Sequence, residues 1–155
     1  MLSLEEPSEE FIQLVTDINR MRGMSSLPAR LVAEVYMSED EISLGELTER
    51  TGYSRSAVSG EMKNLVRSGV VRKKRKPGSR KVFFYMEKGL IDNFIRSFEK
   101  VQGKAVERLK ERIPEILERY DEESEEKDMI QQYYEETLEL EEAMKHFVEE
   151  LKEGR

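Results

Sequence analysis

The chain has 155 residues, of which 38% are charged and 37% hydrophobic, a composition typical of long exposed helices with a narrow buried stripe. This length suits one domain, or one domain with an oligomerisation element. The absence of Cys and the single His exclude a disulfide scaffold, thiolate metal sites, cysteine nucleophiles and multi-histidine centres. No apolar run approaches the ~18 residues of a membrane span and no signal-peptide pattern opens the chain, so we expect a cytoplasmic protein without a membrane partner.

Charge is distributed unevenly along the chain. The formal net charge is -7, yet residues 53–88 carry 11 basic and 2 acidic side chains. The flanking segments are acidic, with 4 basic and 11 acidic residues in 1–52 and 9 basic and 18 acidic residues in 104–155. A basic block inside an acidic chain predicts a localised surface for a polyanion. The simpler alternative is a solvated charged loop.

Two amphipathic helices are predicted first. Residues 8–22 place apolar side chains at helical spacing, with Ser8 at the start of the helix and Gly23 at its end. These apolar residues are Phe11, Leu14, Val15, Ile18 and Met21. Pro28 suits the first turn of the next helix. The apolar face of that helix consists of Leu31, Val32, Val35 and Tyr36.

A short helix, a tight turn and another helix follow. Ser43 and Glu46 have the spacing of a capping box, in which each side chain accepts a hydrogen bond from the backbone N–H of the other residue. The short helix that they begin ends at Gly52. Ser54 caps the next helix, over residues 55–68. This order of elements predicts a helix-turn-helix.

After Gly69 the pattern changes from helical to β. Residues 70–73 and 82–85 are short β-prone runs, and the basic segment 74–79 between them contains a Pro-Gly step typical of a turn. A hairpin directly after a helix-turn-helix predicts a winged helix. Because an isolated hairpin is marginally stable in water, we expect it to pack on the helices and to pair with a short strand near Ile42.

Long helices are predicted from Leu90 onward. Gly103 and Pro114 are expected to interrupt the first of them, since proline removes a backbone donor, and residues 121–128 are expected to form a turn. The last segment repeats apolar positions in alternating steps of three and four, which is the pattern of a coiled-coil seam. The seam consists of Ile130, Tyr133, Thr137, Leu140, Met144, Phe147 and Leu151.

Motifs within residues 27–87 carry a family resemblance. They are Leu27-Pro28, Ile42-Ser43-Leu44, Glu46-Leu47, Thr51 to Ser59, Leu65, Gly69 to Lys73 and Gly78 to Lys81. In these motifs the segment resembles a MarR-type winged helix, specifically the GbsR-like branch. The resemblance implies a dimeric DNA-binding transcriptional regulator, and several members of the family are tied to osmoprotectant uptake or synthesis. Ser79 departs from the pattern, because the family usually has an acidic residue before the wing arginine, here Arg80.

The helix over residues 55–68 is the candidate recognition helix. Val58, Met62 and Leu65 are expected to face inward, which leaves the opposite face free to enter a major groove. Outward residues near its N-terminus are placed to contact base edges, and those further along are placed to contact backbone phosphates. The predicted DNA contacts of the helix-turn-helix are Ser43, Ser54, Arg55, Ser56, Ser59, Gly60, Lys63 and Arg67, with capping as the simpler role of the first two.

The wing supplies the remaining predicted DNA contacts. They are Arg72, Lys73, Lys74, Arg75, Lys76, Arg80 and Lys81. Arg75 or Arg80 at the tip suits a narrow minor groove, which attracts guanidinium groups. A dense cationic hairpin after a helix-turn-helix favours DNA contact over a merely solvated loop.

Two further surfaces are predicted. The homodimer interface is expected to include Phe11, Ile18, Ile130, Tyr133, Leu140, Met144, Phe147 and Leu151. Tyr36, Phe94 and Phe98 are candidates for an effector pocket, since an aromatic cage suits a quaternary ammonium such as choline or glycine betaine. Packing is the simpler role for aromatic residues at helical spacing.

The sequence predicts a mainly α protein, an α+β winged helix-turn-helix with long dimerisation helices. The expected organisation is an N-terminal dimerisation helix over 1–26, a DNA-binding domain over 27–88 and a helical dimerisation region over 89–155. No catalytic residue, metal site or cofactor is predicted. We therefore expect a transcriptional repressor, not an enzyme, that binds double-stranded DNA as a homodimer on a pseudo-palindromic operator. The alternative is an architectural module that binds DNA without sequence preference and uses the coiled coil for a protein partner.

Overall fold

The computed structural model describes residues 6–155, which form two units, one ending at Asn93 and the other spanning Phe94–Arg155. No helix among these residues is long and apolar enough to cross a membrane. The predicted class, a mainly helical chain that carries a winged helix-turn-helix, is confirmed. The elements in chain order are α1 (Pro7–Met21), α2 (Ser26–Met37), β1 (Ile42–Ser43), α3 (Leu44–Thr51), α4 (Arg55–Arg67), β2 (Arg72–Arg75), β3 (Val82–Tyr85), α5 (Leu90–Leu117) and α6 (Glu125–Glu153).

α1 presents most of its apolar residues to solvent. The helix packs on α2 and buries Ile12 and Thr16, whose hydroxyl donates to the Ile12 carbonyl at 2.7 Å. It begins at Pro7 and not at Ser8, because proline lacks the N–H that a first-turn residue would leave unpaired. The predicted apolar stripe is the outer face of the helix. Its exposed members are Phe11, Leu14, Ile18 and Met21.

The helix-turn-helix forms as the capping signals predict. The Ser43 hydroxyl accepts from the Glu46 N–H at 3.1 Å, and the Glu46 carboxylate accepts from the Ser43 N–H at 2.8 Å. Gly52 ends α3 in the left-handed region, at a φ of 70°, which a residue without a Cβ adopts at little cost. The Ser54 hydroxyl then accepts from the Ala57 N–H at 3.2 Å and begins α4.

A three-stranded antiparallel sheet completes the first unit, in the order β1-β3-β2. Ile42 pairs with Phe84, so the predicted strand near Ile42 is confirmed. β2 begins at Arg72, two residues later than predicted. The cause is the end of α4, where Gly69 has a φ of 82° and the Val71 N–H donates to the Leu65 carbonyl. That bond holds Val71 in the helix cap and keeps it out of the strand.

The core of the first unit joins the helix-turn-helix to the sheet. α2, α3 and α4 contribute one buried face each, and the sheet covers them with residues of β1, β3 and the segment between α4 and β2. The buried residues of this core are Leu31, Val35, Ile42, Leu47, Val58, Met62, Leu65, Val71, Phe84 and Met86. Because α4 places three residues in this core, its opposite face must point to solvent.

The second unit consists of most of α5 and all of α6. α5 runs unbroken from Leu90 to Leu117, so the expected interruption at Gly103 and Pro114 is wrong. Pro114 lies in the last turn, where the N–H that it lacks affects only one helical bond, and one Gly costs about 1 kcal/mol in a helix interior. α6 begins within the segment predicted as a turn, because the Ser124 hydroxyl caps it by accepting from the Lys127 N–H.

A buried carboxylate connects the helices of the first unit. Glu34 in α2 is 1% exposed, and its carboxylate accepts two hydrogen bonds from Arg30, at 2.6 and 2.9 Å. Arg50 of α3 approaches the second oxygen at 3.3 Å, and Arg30 also pairs with Glu9 of α1 at 2.7 Å. Both carboxylates raise the pKa of Arg30 although burial acts against them. The network therefore joins α2 to both neighbouring helices, to α1 through Arg30 and to α3 through Glu34.

We predict that Arg30→Met destabilises the protein far more than Arg50→Met. Loss of Arg30 leaves the buried carboxylate of Glu34 with only the longer bond to Arg50, and uncompensated buried charge is costly. Urea unfolding is expected to show a loss of about 2–3 kcal/mol for Arg30→Met and less than ~1 kcal/mol for Arg50→Met, whose side chain is half exposed. Equal losses would contradict the assignment of Arg30 as the main partner.

Candidate nucleic-acid interface

α4 has one apolar face in the core and one polar face in solvent. Val58 and Met62 are fully buried and Leu65 nearly so, as predicted for the inner face. Arg55, Ser56, Gly60, Lys63 and Arg67 are exposed, and Ser59 is half-buried. No side chain lies within 4 Å of the position that a Cβ would take at Gly60, so this surface is open. α4 therefore presents two or three turns of polar and cationic groups, which is what a recognition helix needs.

The serines at the helix N-termini act as caps. The Ser43 and Ser54 hydroxyls each accept a backbone N–H of their own helix. Hydrogen bonds from the Ser43 backbone and side chain lower the pKa of Glu46, so its carboxylate stays ionised at the N-terminus of α3. Capping is thus the role that the geometry shows, and contact of either serine with DNA stays a prediction.

The wing is a hairpin with a tight tip. The Ser79 N–H donates to the Lys76 carbonyl at 3.2 Å, and Pro77 and Gly78 occupy the two central positions of the turn. Gly78 has a φ of 75°, which the second central position of a type II turn requires. The Ser79 hydroxyl also accepts from the Lys81 N–H at 3.1 Å. The basic residues of both strands therefore extend from a defined turn.

The cations of the wing divide into two groups. Arg72 pairs with Glu87 at 3.4 Å, and Lys74 and Lys76 both pair with Glu41. Within residues 6–155, the other four wing cations are exposed and make no ion pair, namely Lys73, Arg75, Arg80 and Lys81. The wing cations therefore differ in their surroundings, and contact of any of them with DNA stays a prediction. Three of them already face a carboxylate.

Three residues near this surface were missed by reasoning from sequence. Tyr53 directly precedes the Ser54 cap and is 45% exposed, which places an aromatic ring beside the N-terminus of α4. Asn64 is exposed next to Lys63. Glu41 lies far from the wing in sequence, and only the sheet brings them together. The exposure of Asn64 could have been inferred from the periodicity of α4, but the position of Glu41 could not.

Each unit also has exposed apolar side chains. In α1 these include Phe11 and Ile18, which belong to the predicted interface. In α6, Tyr133, Leu140 and Phe147 are 58%, 55% and 44% exposed and follow one another at intervals of seven residues. The other predicted members of the seam are half-buried within the second unit. They are Ile130, Thr137, Met144 and Leu151.

The predicted effector residues take part in two separate sets of contacts. In the first unit, Tyr36 lines a mostly apolar groove of about 300 Å³ together with Phe11, whose ring is 6.4 Å from its own. The Lys88 ammonium lies 5.7 Å from the centre of the Tyr36 ring. In the second unit, Phe94 stacks on Phe98 at 6.0 Å and meets the edge of Phe147 at the same distance.

Comparison with known proteins points to one family. Residues 22–81 match the profile of the MarR family. Over 107 residues the chain is 27% identical to the protein named HTH-type transcriptional regulator YvaV of Bacillus subtilis strain 168, covering 69% of this chain and 60% of that protein. It is also 27% identical over 95 residues to the HTH-type transcriptional repressor OpcR of the same organism, covering 61% of this chain and 51% of that protein. The chain thus matches little more than half the length of these relatives.

A solved structure has the same fold. A crystal structure described as a transcriptional regulator superposes with a TM-score of 0.78, covers 96% of this chain and 99% of its own, and is 15% identical in sequence. The family match coincides with the helix-turn-helix and the basic part of the wing described above. Residues 22–81 of this chain therefore form a winged helix in structure and match the MarR family in sequence.

Proposed function

We propose that the chain is a sequence-specific transcriptional regulator of the MarR family, in its GbsR-like branch, that binds double-stranded DNA as a homodimer and acts as a repressor. The observation that carries the proposal is the exposed cationic surface of α4 and the wing in a chain of net charge -7. Such a surface supports binding to a polyanion, while the acidic remainder repels it. The relative named as a transcriptional repressor supports the direction of regulation.

The exposed face of α4 has residues for two different roles, base readout near its N-terminus and phosphate contact further along. Arg55 occupies the first position of the helix, from which a guanidinium can reach the O6 and N7 atoms of guanine in a major groove. Ser56 and Ser59 follow on the same side. Lys63 and Arg67 lie one and two turns further along and suit phosphates, which add affinity but carry no sequence information. Arg75 and Arg80 flank the wing tip and suit an adjacent minor groove.

The homodimer is proposed from surface that the chain does not bury within its own units. A protein seldom leaves regularly spaced aromatic and aliphatic side chains in water along a whole helix. Two surfaces nevertheless expose such side chains. One is the outer face of α1, and the other is the stripe in α6 formed by Tyr133, Leu140 and Phe147. A two-fold partner would cover the same residues on both copies and would pair two recognition helices for a pseudo-palindromic site.

An effector is proposed for the groove beside Tyr36. It is lined mainly by apolar side chains, with the Arg22 side chain and the Asn19 amide at its wall. The Asn19 Nδ2 atom is buried and has no hydrogen-bond partner among the described residues. A ligand with an acceptor group would satisfy it. Of the two osmolytes suggested by sequence, glycine betaine carries a carboxylate and choline does not, so glycine betaine fits this groove better.

We predict that Arg55→Ala and Lys63→Ala weaken DNA binding in different ways. Fragments bound by the protein are first selected from a random pool, and affinities for a selected and a random duplex are then measured by fluorescence anisotropy. Arg55→Ala is expected to cost about 1–3 kcal/mol on the selected duplex only, because it removes a base contact. Lys63→Ala is expected to weaken both duplexes alike and to lower the salt slope by about 1.

The same experiment decides between the proposal and an architectural role. A regulator yields a recurrent sequence from the random pool, and Arg55→Ala relaxes the preference at one position of each half-site. Recovery of no preferred sequence, with equal losses for both variants, would instead indicate a module that binds DNA without sequence preference.

We predict that Leu140→Glu together with Phe147→Glu abolishes dimerisation without unfolding the protein. Both side chains are about half exposed, so a carboxylate at either site enters water in the monomer but would be desolvated in an interface. Sedimentation is expected to show a monomer. The circular dichroism spectrum is expected to match that of the wild type, which shows that the variant is folded. Gln131→Glu controls for the addition of one of these two charges, since Gln131 is exposed on a different side of α6. Dimers of the double variant would place the interface elsewhere.

We predict that millimolar glycine betaine changes affinity for the selected duplex and that choline does so less. The response is expected to lie in the 5–150-fold range of ordinary allosteric coupling and to decrease in Asn19→Leu, which removes the unpaired amide from the groove. An identical response to both compounds, or a response that Asn19→Leu does not alter, would show that this groove is not the effector site.

A further inference from the structure

A carboxylate contacts the wing lysines, where a DNA-binding surface would be expected to have none. Glu41 lies in the segment between α2 and β1 and is mostly buried, with 13% of its side chain exposed. Its carboxylate contacts the Lys76 ammonium through one oxygen and the Lys74 ammonium, at 3.5 Å, through the other. One acidic residue therefore binds two of the cations that the sequence assigns to DNA.

The geometry explains how the three residues meet. β1 and β2 lie on opposite sides of β3, and Glu41 directly precedes β1. Lys74 pairs with Phe83 of β3 in the strand register, and the Lys76 ammonium lies 4.4 Å from the centre of the Phe83 ring. The ring and the carboxylate thus hold the lysine side chains at the sheet.

A lowered pKa keeps the Glu41 carboxylate ionised at neutral pH. The hydrogen bond from Lys76 is the largest influence on it, and with the nearby Lys74 it lowers the pKa of the carboxyl below its usual value. The contact is therefore not released by a mild change of pH. It can be released by another anion, since about half of each lysine side chain is exposed to solvent.

We propose that Glu41 is an internal competitor for DNA phosphate, an inference that rests on the DNA-binding function proposed above. In the free protein its carboxylate occupies Lys74 and Lys76 as a backbone phosphate would. Binding of DNA must then either leave these lysines unused or displace a carboxylate from them, and both cases lower affinity. Because phosphates carry no sequence information, Glu41 reduces binding to every duplex by a similar factor. The residue thus limits the attachment of the regulator to DNA of arbitrary sequence.

The test is a comparison of Glu41→Gln with Glu39→Gln on a labelled random-sequence duplex. Glu39 is exposed in the same segment and loses the same charge, so it controls for the net charge of the protein. Glu41→Gln is expected to raise affinity on the order of threefold beyond the control. It is also expected to steepen the salt slope by about 0.9 for each lysine that gains a phosphate.

A second pair of variants reports directly on the competition. Lys76→Ala is expected to change DNA affinity little in the wild-type background, where Glu41 occupies the lysine, and to lower it severalfold in the Glu41→Gln background. Thermal unfolding by circular dichroism confirms that the variants are folded. Glu41→Gln affinity equal to or below that of Glu39→Gln, or the same effect of Lys76→Ala in both backgrounds, would overturn the proposal. If wild-type protein binds no duplex at all, the proposed function fails instead.

Discussion

The burial of one face of α4 is the constraint on which the rest of the first unit depends. Val58, Met62 and Leu65 occupy the core shared with α2, α3 and the sheet. Because a helix turns through 100° per residue, fixing these three positions also fixes which residues face outward. Arg55, Lys63 and their neighbours are exposed for that reason alone. The presentation of the polar face is thus a consequence of core packing, and no separate device is needed to aim it.

Local signals in the sequence were sufficient for most of the first unit. The capping box of Ser43 and Glu46, the left-handed Gly52 and the cap at Ser54 depend on residues within four positions of one another, so spacing alone predicts them. The register of β2 was harder. Whether Val71 belongs to a strand or to the cap of α4 depends on its hydrogen bond to the Leu65 carbonyl, which competes with strand pairing.

Contacts between distant segments were the part that the sequence could not supply. Glu41 is an ordinary acidic residue until the sheet places β1 and the wing on either side of β3. The long helices show the same limit in another form. A heptad pattern identifies apolar positions in α6, but it does not say which of them face α5 in the same chain. Val148 lies outside the predicted seam and is buried, whereas Leu140 lies within it and is exposed.

Folding of the chain therefore leaves two kinds of surface exposed to solvent, one apolar and one cationic. Burial of the first favours a second copy of the chain, because apolar stripes on α1 and α6 gain from removal of water whatever the salt concentration. The second favours a polyanion and weakens as salt rises. The homodimer that we propose would link the two effects. It would bring a second cationic face to the same duplex, so the second half-site would be bound at the high effective concentration that binding of the first creates. Moderate affinity for each half-site would then be an advantage. A dimer that binds each half-site weakly stays bound only where both half-sites are present, whereas tight binding to one half-site would also hold it at chance matches. In such a dimer, the contact of Glu41 with Lys74 and Lys76 would lower the affinity of both halves for DNA, so its effect on the whole complex would be twice that on one chain.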